Sequence, residues 1–153
     1  MNLSEASFLI EESIRGLKVD PVACRDVNPG KWSLRIKNAT VWIDVFDFPA
    51  TNPGIFYVQV MSPLFAVPAT NKEQIAHELL EVSFDMCNCG IVKKGEWYYV
   101  LSYRPAKGLN QEEIDYIIDK VGFYSDDFYS KITYKYQGSW PPVGANTGER
   151  PKD

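Results

Sequence analysis

The stretch from Ile55 to Tyr103 constrains the fold more than any other part of the chain, because strand and helix patterns alternate along it. Ile55-Phe-Tyr-Val-Gln-Val-Met61 is mostly β-branched or aromatic, which is typical of a strand. A run with helical apolar spacing follows, and Ile91–Tyr103 then has the pattern of a β-hairpin. A helix between two strand regions must pack on the sheet that they share.

Two further strands are predicted before this stretch. Apolar and polar residues alternate strictly from Trp32 to Lys37, which indicates a half-buried antiparallel strand. From Thr40 to Phe48 neither alternating set is polar, so we expect this strand to be central or to have its outer face covered. Short connections favour a meander of the first three strands. Pro63 and Pro68 predict that the third strand ends near Met61, because proline cannot donate to a ladder.

Helices are predicted before the first strand and in the middle of the chain. Residues 4–17 place apolar side chains on one helical stripe, and Ser4 is the predicted N-cap. Thr70 and Glu73 have the spacing of a capping box for a second helix that runs to about Val82.

A third helix is predicted near the C-terminus. Asn110 and Glu113 predict a capping box at its start, and Gly122 is a predicted point of bending. We therefore predict one domain over residues 1–136, followed by a Trp-Pro-Pro tail over residues 137–153.

Composition and charge exclude several classes of protein. The chain has 153 residues, a net charge of −4 and a pI near 5.1, and its basic residues are scattered, which disfavours a nucleic-acid-binding surface. Aromatic residues make up 14% of the chain, which suggests broad sheet faces or a surface that meets another protein. No apolar run is long enough to span a bilayer, no signal peptide is apparent, and the three cysteines are an odd number. We therefore expect a cytoplasmic protein with reduced thiols and no membrane partner.

The residues that carry chemistry do not form a catalytic or metal-binding pattern. Cys87-Asn-Cys89 could hold a metal or form a strained disulfide, but no second Cys or His pair stands at ligand spacing. We expect one of these thiols to face the core and the other the surface, and we expect the single histidine, His77, to be exposed. No pattern pairs the candidate carboxylates, so we predict no enzyme, no cofactor and no metal site; these carboxylates are Asp44, Asp47, Asp85, Asp126 and Asp127.

Two segments resemble a known superfamily in their residues. In Leu79–Val100 a Leu-Leu-Glu helix end leads to a glycine and a β-hairpin with a charged turn. In Gly108–Ile118 a Gly-Leu-polar-x-Glu-Glu sequence opens the last helix. These features resemble the YbjN-like and type III secretion chaperone-like superfamily, although many members have Asn where this chain has Ser83. The predicted elements give an α+β fold with three helices against a five-stranded antiparallel sheet, in the order α-βββ-α-ββ-α. The resemblance to the superfamily agrees with this fold and implies that the protein is often a homodimer.

The resemblance and the surplus aromatic residues lead to one preferred function and two alternatives. The preferred function is a non-enzymatic, chaperone-like module that holds an extended segment of a partner protein. Its predicted partner-binding residues are Trp42, Phe46, Phe48 and Trp140. The first alternative is a small-molecule sensor that uses the cleft between sheet and helices as its pocket. The second, an enzyme, is disfavoured by the absence of a catalytic pattern.

Overall fold

The computed structural model describes residues 1–48, 52–141 and 150–151, without the side chains of residues 48, 52 and 53. Four helices and five strands follow one another in the described part of the chain. In chain order they are α1 (Leu3–Gly16), α2 (Pro21–Cys24), β1 (Lys31–Ile36), β2 (Ala39–Phe48), β3 (Asn52–Ala66), α3 (Lys72–Phe84), β4 (Gly90–Lys94), β5 (Trp97–Pro105) and α4 (Gln111–Lys135).

The five strands form one antiparallel sheet in the order β1-β2-β3-β5-β4. The α+β class, the five strands and the meander of the first three are therefore as the sequence predicts. The one difference in element order is the short helix α2, which lies in the predicted connector and begins with Pro21 after the N-cap Asp20. The described chain thus has four helices where three are predicted.

The helices cover one face of the sheet. Val41, Ile43 and Val45 of β2 are buried in one core cluster with apolar residues of α1, α3 and α4. The long helix α4 lies across the sheet and contacts four of its strands, β1, β2, β3 and β5. No described helix is both long enough and apolar enough to cross a bilayer.

The prediction that Pro63 ends the third strand is wrong. Strand β3 runs on to Ala66, and Pro63 is the register partner of Tyr99 on β5. A shift of register between Pro63 and Phe65 accommodates the proline, as is common for proline inside sheets. The buried hydroxyl of Ser125 on α4 donates a hydrogen bond to the Pro63 carbonyl at 3.3 Å. Tertiary contacts from the helix layer thus support the irregular position.

Two of the three predicted N-terminal caps are also wrong. The N-cap of α1 is Asn2 rather than Ser4, and Asn2 forms the capping box with Glu5. At α3 the N-cap is Asn71 in a left-handed conformation (φ 58°), and it makes no side-chain capping bond.

The start of α3 is held by the tail instead. The amide of Asn71 donates to the Ser139 hydroxyl at 2.9 Å, and the hydroxyl of Thr70 bonds to the same atom at 3.2 Å. The predicted cap Thr70 and the observed N-cap Asn71 therefore both bind a residue that is distant in sequence.

The cap of α4 is partly as predicted. Asn110 accepts the hydrogen bond from the Glu113 amide at 2.9 Å. The Glu113 carboxylate, however, pairs with Arg104 of β5 instead of completing the box.

Helix α4 is continuous through Gly122, so the predicted bend there is wrong. Gly122 instead allows helix α4 to approach β1 closely. A Cβ atom at position 122 would lie 2.8 Å from Cγ2 and 2.9 Å from Cβ of Ile36. These distances are shorter than van der Waals contact, so the absence of a side chain lets α4 lie against β1.

Glu11 ties α1 to the start of the sheet. Its buried carboxylate accepts hydrogen bonds from Nε and Nη2 of Arg25 at 2.6 and 2.8 Å, and from the indole of Trp32 at 3.2 Å. The bonds from Arg25 are the main reason that the pKa of Glu11 lies below its ordinary value of 4.5, although burial acts in the opposite direction. The carboxylate therefore stabilises the fold in its charged form.

We expect Gly122→Ala to lower the free energy of unfolding by about 1–3 kcal/mol, because the new methyl group overlaps Ile36. This loss outweighs the roughly 1 kcal/mol that alanine gains over glycine inside a helix. Urea unfolding measures the change. Gly16→Ala is the matched control, because a Cβ atom at this last residue of α1 meets no atom within 4 Å. Equal stability of the two variants would contradict the close approach.

We expect Glu11→Gln to lower the free energy of unfolding by about 1–3 kcal/mol near pH 7, because hydrogen bonds to a charged acceptor are lost. The pKa of Glu11 is lower in the folded state than its ordinary value of 4.5. The stabilisation is therefore complete above pH 4.5 and is lost as the pH falls through the folded-state pKa of Glu11. Urea unfolding over a pH series should therefore show the difference between wild type and variant shrinking below pH 4.5. Glu12→Gln, which removes an exposed charge from the same helix, is the control. A difference independent of pH would contradict the assignment.

Candidate interaction surface

The sheet face opposite the helices carries a second set of large side chains. The alternation of β2 that sends Val41, Ile43 and Val45 to the core sends its other side chains to this face, and the register places the matching residues of β3 and β5 beside them. We call this the open face. Its central side chains are Trp42, Asp44, Phe46, Tyr57, Gln59, Met61, Trp97, Tyr99, Leu101 and Tyr103.

One half of the open face is a small apolar cluster. Trp42, Met61 and Tyr99 are each less than 7% exposed, and Trp97 and Leu101 pack against them. The rings of Trp42 and Tyr99 lie 6.4 Å apart. Burial raises the pKa of the Tyr99 hydroxyl, which therefore stays neutral at physiological pH. Among the described residues this cluster draws its members from strands alone, so no described helix covers it.

Among the described side chains, the other half is a stack of three aromatic rings, which we call the aromatic trio: Phe46, Tyr57 and Tyr103. Phe46 and Tyr57 are register partners on β2 and β3, and their ring centroids lie 6.3 Å apart. Tyr103 of β5 stacks on Tyr57 at 5.3 Å and on Phe46 at 6.2 Å, with interplanar angles of 11° and 16°. Tyr103 remains 46% exposed. The trio thus presents a preformed aromatic surface to the outside of the sheet.

A cleft of about 570 Å³ lies on the open face between these two groups. Its lining includes the apolar side chains of Phe46, Met61 and Tyr99 and several charged groups. The Lys31 ammonium lies 3.9 Å from the buried Asp44 carboxylate, and Arg150 from the C-terminal tail approaches the same carboxylate. The cleft therefore combines an apolar floor with paired charges.

The structure brings together two of the four predicted partner-binding residues. Trp42 and Phe46 both lie on the open face, in the apolar cluster and the aromatic trio respectively. Phe48 is the third predicted partner-binding residue, and its side chain lies outside the part of the chain that the structure describes. Trp140 lies elsewhere: its ring packs at 4.8 Å from Phe65 in the helix-side core.

Trp140 anchors the start of the tail to the chain's own domain. Its indole donates a hydrogen bond to the Ala66 carbonyl at 2.7 Å. One residue earlier, the Ser139 carbonyl accepts the amide of Ala69 at 2.7 Å. The tail therefore begins by closing over the end of β3.

Sequence reasoning missed the partners that complete the open face. Tyr57, Met61 and Tyr103 were each placed on a predicted strand but were not proposed as site residues. The signal that could have found them is the alternation of β3 and β5, taken in register with that of β2. Arg150 had no such signal, because it reaches the sheet from a part of the sequence without a strand or helix pattern.

Two of the five carboxylates weighed for catalysis, Asp44 and Asp47, line the cleft. Asp44 is engaged by Lys31 and Arg150, which is an ion-pair arrangement rather than a shared proton between two acids. The described lining contains no histidine, cysteine or serine that such an acid could activate. The geometry of the cleft therefore supplies the means to bind charged and apolar groups.

Cys87 and Cys89 occupy the positions predicted for them, one towards the surface and one towards the core. Cys24 is buried, Cys87 is exposed, and Cys89 is partly buried against the core. Burial raises the pKa of the Cys89 thiol to about 11. Among the described residues no group of three or more His, Cys, Asp or Glu side chains could hold a metal ion. His77 lies on the exposed side of α3.

Strands β1 and β4 form the edges of the sheet. The edge of β1 is partly paired within the chain, because Arg25 forms an isolated bridge with Trp32 and the Asp26 amide donates to the Lys31 carbonyl. Strand β4 is short and bears two exposed lysines, Lys93 and Lys94, a composition typical of edges that resist aggregation.

The solved structures that share this fold include chains of two complexes. A chain of the ExsC–ExsE complex superposes with a TM-score of 0.61 and 9% identity, over 83% of this chain and 92% of that one. A chain of the HopA1–SchA chaperone–effector complex superposes with a TM-score of 0.57 and 12% identity, over 85% of this chain and 98% of that one. The fold is therefore secretion chaperone-like, as the sequence resemblance predicts. No protein-family model and no curated protein matches the chain.

Proposed function

We propose that this protein is a non-enzymatic, chaperone-like binding module that holds an extended segment of a partner protein on the open face. The observation that carries the proposal is the aromatic trio beside the cleft, on a sheet face that no described helix covers. One of the structures with the same fold is a chaperone–effector complex, which supports a protein ligand.

The chemistry of the open face suits a polypeptide. Tyrosine and tryptophan offer large apolar rings at low cost in side-chain entropy, and they are enriched at protein interfaces. The tyrosine hydroxyls can in addition hydrogen-bond to a peptide backbone. An extended segment presents alternate side chains to one surface, so neighbouring ones could meet the trio and the apolar walls of the cleft.

We expect Tyr103→Glu to weaken partner binding at least about tenfold, because a carboxylate would be placed in the aromatic trio. Tyr103 is 46% exposed, so the fold should tolerate the change. Tyr134→Glu is the matched control, since Tyr134 is an exposed tyrosine on α4. The partner is first identified by co-purification from the host cell, and its affinity for each variant is then measured by calorimetry.

A second measurement tests whether the bound segment is extended. A photo-crosslinking amino acid at position 103 should label one short contiguous stretch of the partner, whereas the same group at position 134 should not. Repeated elution of the protein without a stoichiometric partner would contradict the proposal. So would equal partner affinity of the Tyr103→Glu and Tyr134→Glu variants.

The small-molecule alternative stays a prediction. It needs an apolar space between sheet and helices. Where α4 crosses the ends of β2 and β3, the gap lined by Ala39, Leu64 and Ser125 has a volume of about 10 Å³. Such a gap holds one water molecule at most. This part of the layer gives the alternative no support.

We also propose that the protein is a homodimer and that it acts in the cytoplasm, as a YbjN-like member of the superfamily. Two large apolar side chains one turn apart on α3 support the dimer: Leu80 is 69% exposed and Phe84 is 90% exposed. Val92 on the neighbouring strand β4 is also exposed. A second copy of the chain would remove these side chains from water. The free, exposed thiol of Cys87 suits a reducing compartment.

We expect the double substitution Leu80→Glu and Phe84→Glu to convert the dimer to a monomer. The two apolar side chains that each copy places in the interface would be replaced by carboxylates, so that four negative charges would face one another. Size-exclusion chromatography with light scattering measures the mass, and circular dichroism checks the fold. Phe8→Glu is the control, since Phe8 is 63% exposed on α1. A wild-type protein that is monomeric at all concentrations, or a double variant that remains dimeric, would contradict this interface.

A further inference from the structure

Arg150, near the end of the tail, is seated on the open face. Its Nη2 atom donates to the Trp32 carbonyl at 2.5 Å, and its Nη1 atom lies 3.5 Å from the Asp26 carboxylate and 3.6 Å from the Asp44 carboxylate. Its Cζ atom lies 5.7 Å from the centroid of the Trp42 ring. The guanidinium group thus contacts two acids, one carbonyl and one aromatic ring at once.

The groups around this guanidinium are held by the sheet rather than by the tail. Trp42 and Asp44 are two residues apart on the inner strand β2 and point to the same face, and each is 6% exposed. The Trp32 carbonyl belongs to β1, and the indole of the same residue is held by a hydrogen bond to Glu11. Asp26 is tied to β1 through its amide, which donates to the Lys31 carbonyl at 2.9 Å. Three of the four groups therefore belong to strands of the sheet, and the fourth is hydrogen-bonded to β1.

The arrangement matches a guanidinium better than an ammonium group. A guanidinium is planar, so it can place its face near an indole while its edge donates in several fixed directions. An ammonium is already present, because Lys31 lies 3.9 Å from Asp44. Asp26 and Asp44 together carry two negative charges and Lys31 one positive charge. The two carboxylates that face the guanidinium complement its positive charge.

The position of the site connects it to the binding surface. Arg150 and Pro151 line the same cleft as Phe46 and Met61. An extended segment lying on the open face would therefore meet the residues around Arg150. A tethered side chain competes for its own site at high effective concentration, on the order of millimolar for a short connection.

We propose that Trp42, Asp44, Asp26 and the Trp32 carbonyl form a binding site for an arginine side chain of the partner segment, and that Arg150 occupies this site in cis until the partner displaces it. The idea rests on the proposed function, to which it adds a side-chain requirement in the partner. It also assigns the tail a role as a competing internal ligand.

The test uses the full-length chain and a defined probe. The probe is a fluorescein-labelled peptide with the sequence of residues 144–153, Gly-Ala-Asn-Thr-Gly-Glu-Arg-Pro-Lys-Asp. A second peptide carries citrulline, which is uncharged and of similar shape, in place of the arginine. Fluorescence anisotropy measures the binding of both peptides to the wild-type chain and to the Arg150→Ala variant.

We expect the Arg150→Ala variant to bind the arginine peptide at least about tenfold more tightly than the wild type does. We also expect it to bind the citrulline peptide at least about tenfold more weakly than the arginine peptide. Adding Asp26→Asn to Arg150→Ala should weaken arginine-peptide binding, whereas adding Glu12→Gln, a distant exposed carboxylate, should not. Equal binding by wild type and variant, equal binding of the two peptides, or no binding at millimolar concentration would overturn the proposal.

The outcome is separable from that of the proposed function. If a partner is identified and the wild type and Arg150→Ala retain it equally, the arginine site fails while the binding module stands. If the peptide binds as expected but the protein is always recovered alone, the arginine site stands and the proposed function fails.

Discussion

Strand β2 buries side chains on both of its faces while the described helices cover only one, and this asymmetry underlies the rest of the structure. Val41, Ile43 and Val45 join the helix-side core. Their neighbours Trp42 and Asp44 are almost as well buried on the other side. Because burial of apolar surface is the main favourable term in folding, the second face needs its own covering, and strand side chains with the end of the tail supply part of it.

Local patterns in the sequence were enough for the order of the strands and the longer helices and for the antiparallel sheet. Alternation along β2 and β5 and the apolar spacing of α4 are properties of short windows, and each is strong here. Two of the errors occurred where a distant residue bears on the local structure. Pro63 remains inside a central strand at a shift of register, where Ser125 of α4 donates to its carbonyl. The side chain of the N-cap Asn71 makes no capping bond and binds Ser139 instead.

The candidate site was likewise predictable only where local alternation decides which face a side chain occupies. Trp42 and Phe46 could be assigned to a common face from alternation alone, but the aromatic trio depends on the register between three strands, which one strand does not reveal. Arg150 could not be anticipated at all, since its contacts bring together residues more than a hundred positions apart in the sequence. The Trp-Pro-Pro motif drew attention to Trp140, whose role in the described structure is to anchor the tail.

The contact between Gly122 and Ile36 limits which substitutions the two positions can accept as homologous sequences evolve. The two positions share a single small volume between α4 and β1, so a larger residue at one is compatible with the fold only if the other becomes smaller or the helix shifts along the sheet. Among homologues we expect these two positions to covary in side-chain size. Lineages that keep β-branched bulk on the strand should retain glycine on the helix, and this pairing would mark members with the same helix placement even at very low overall identity.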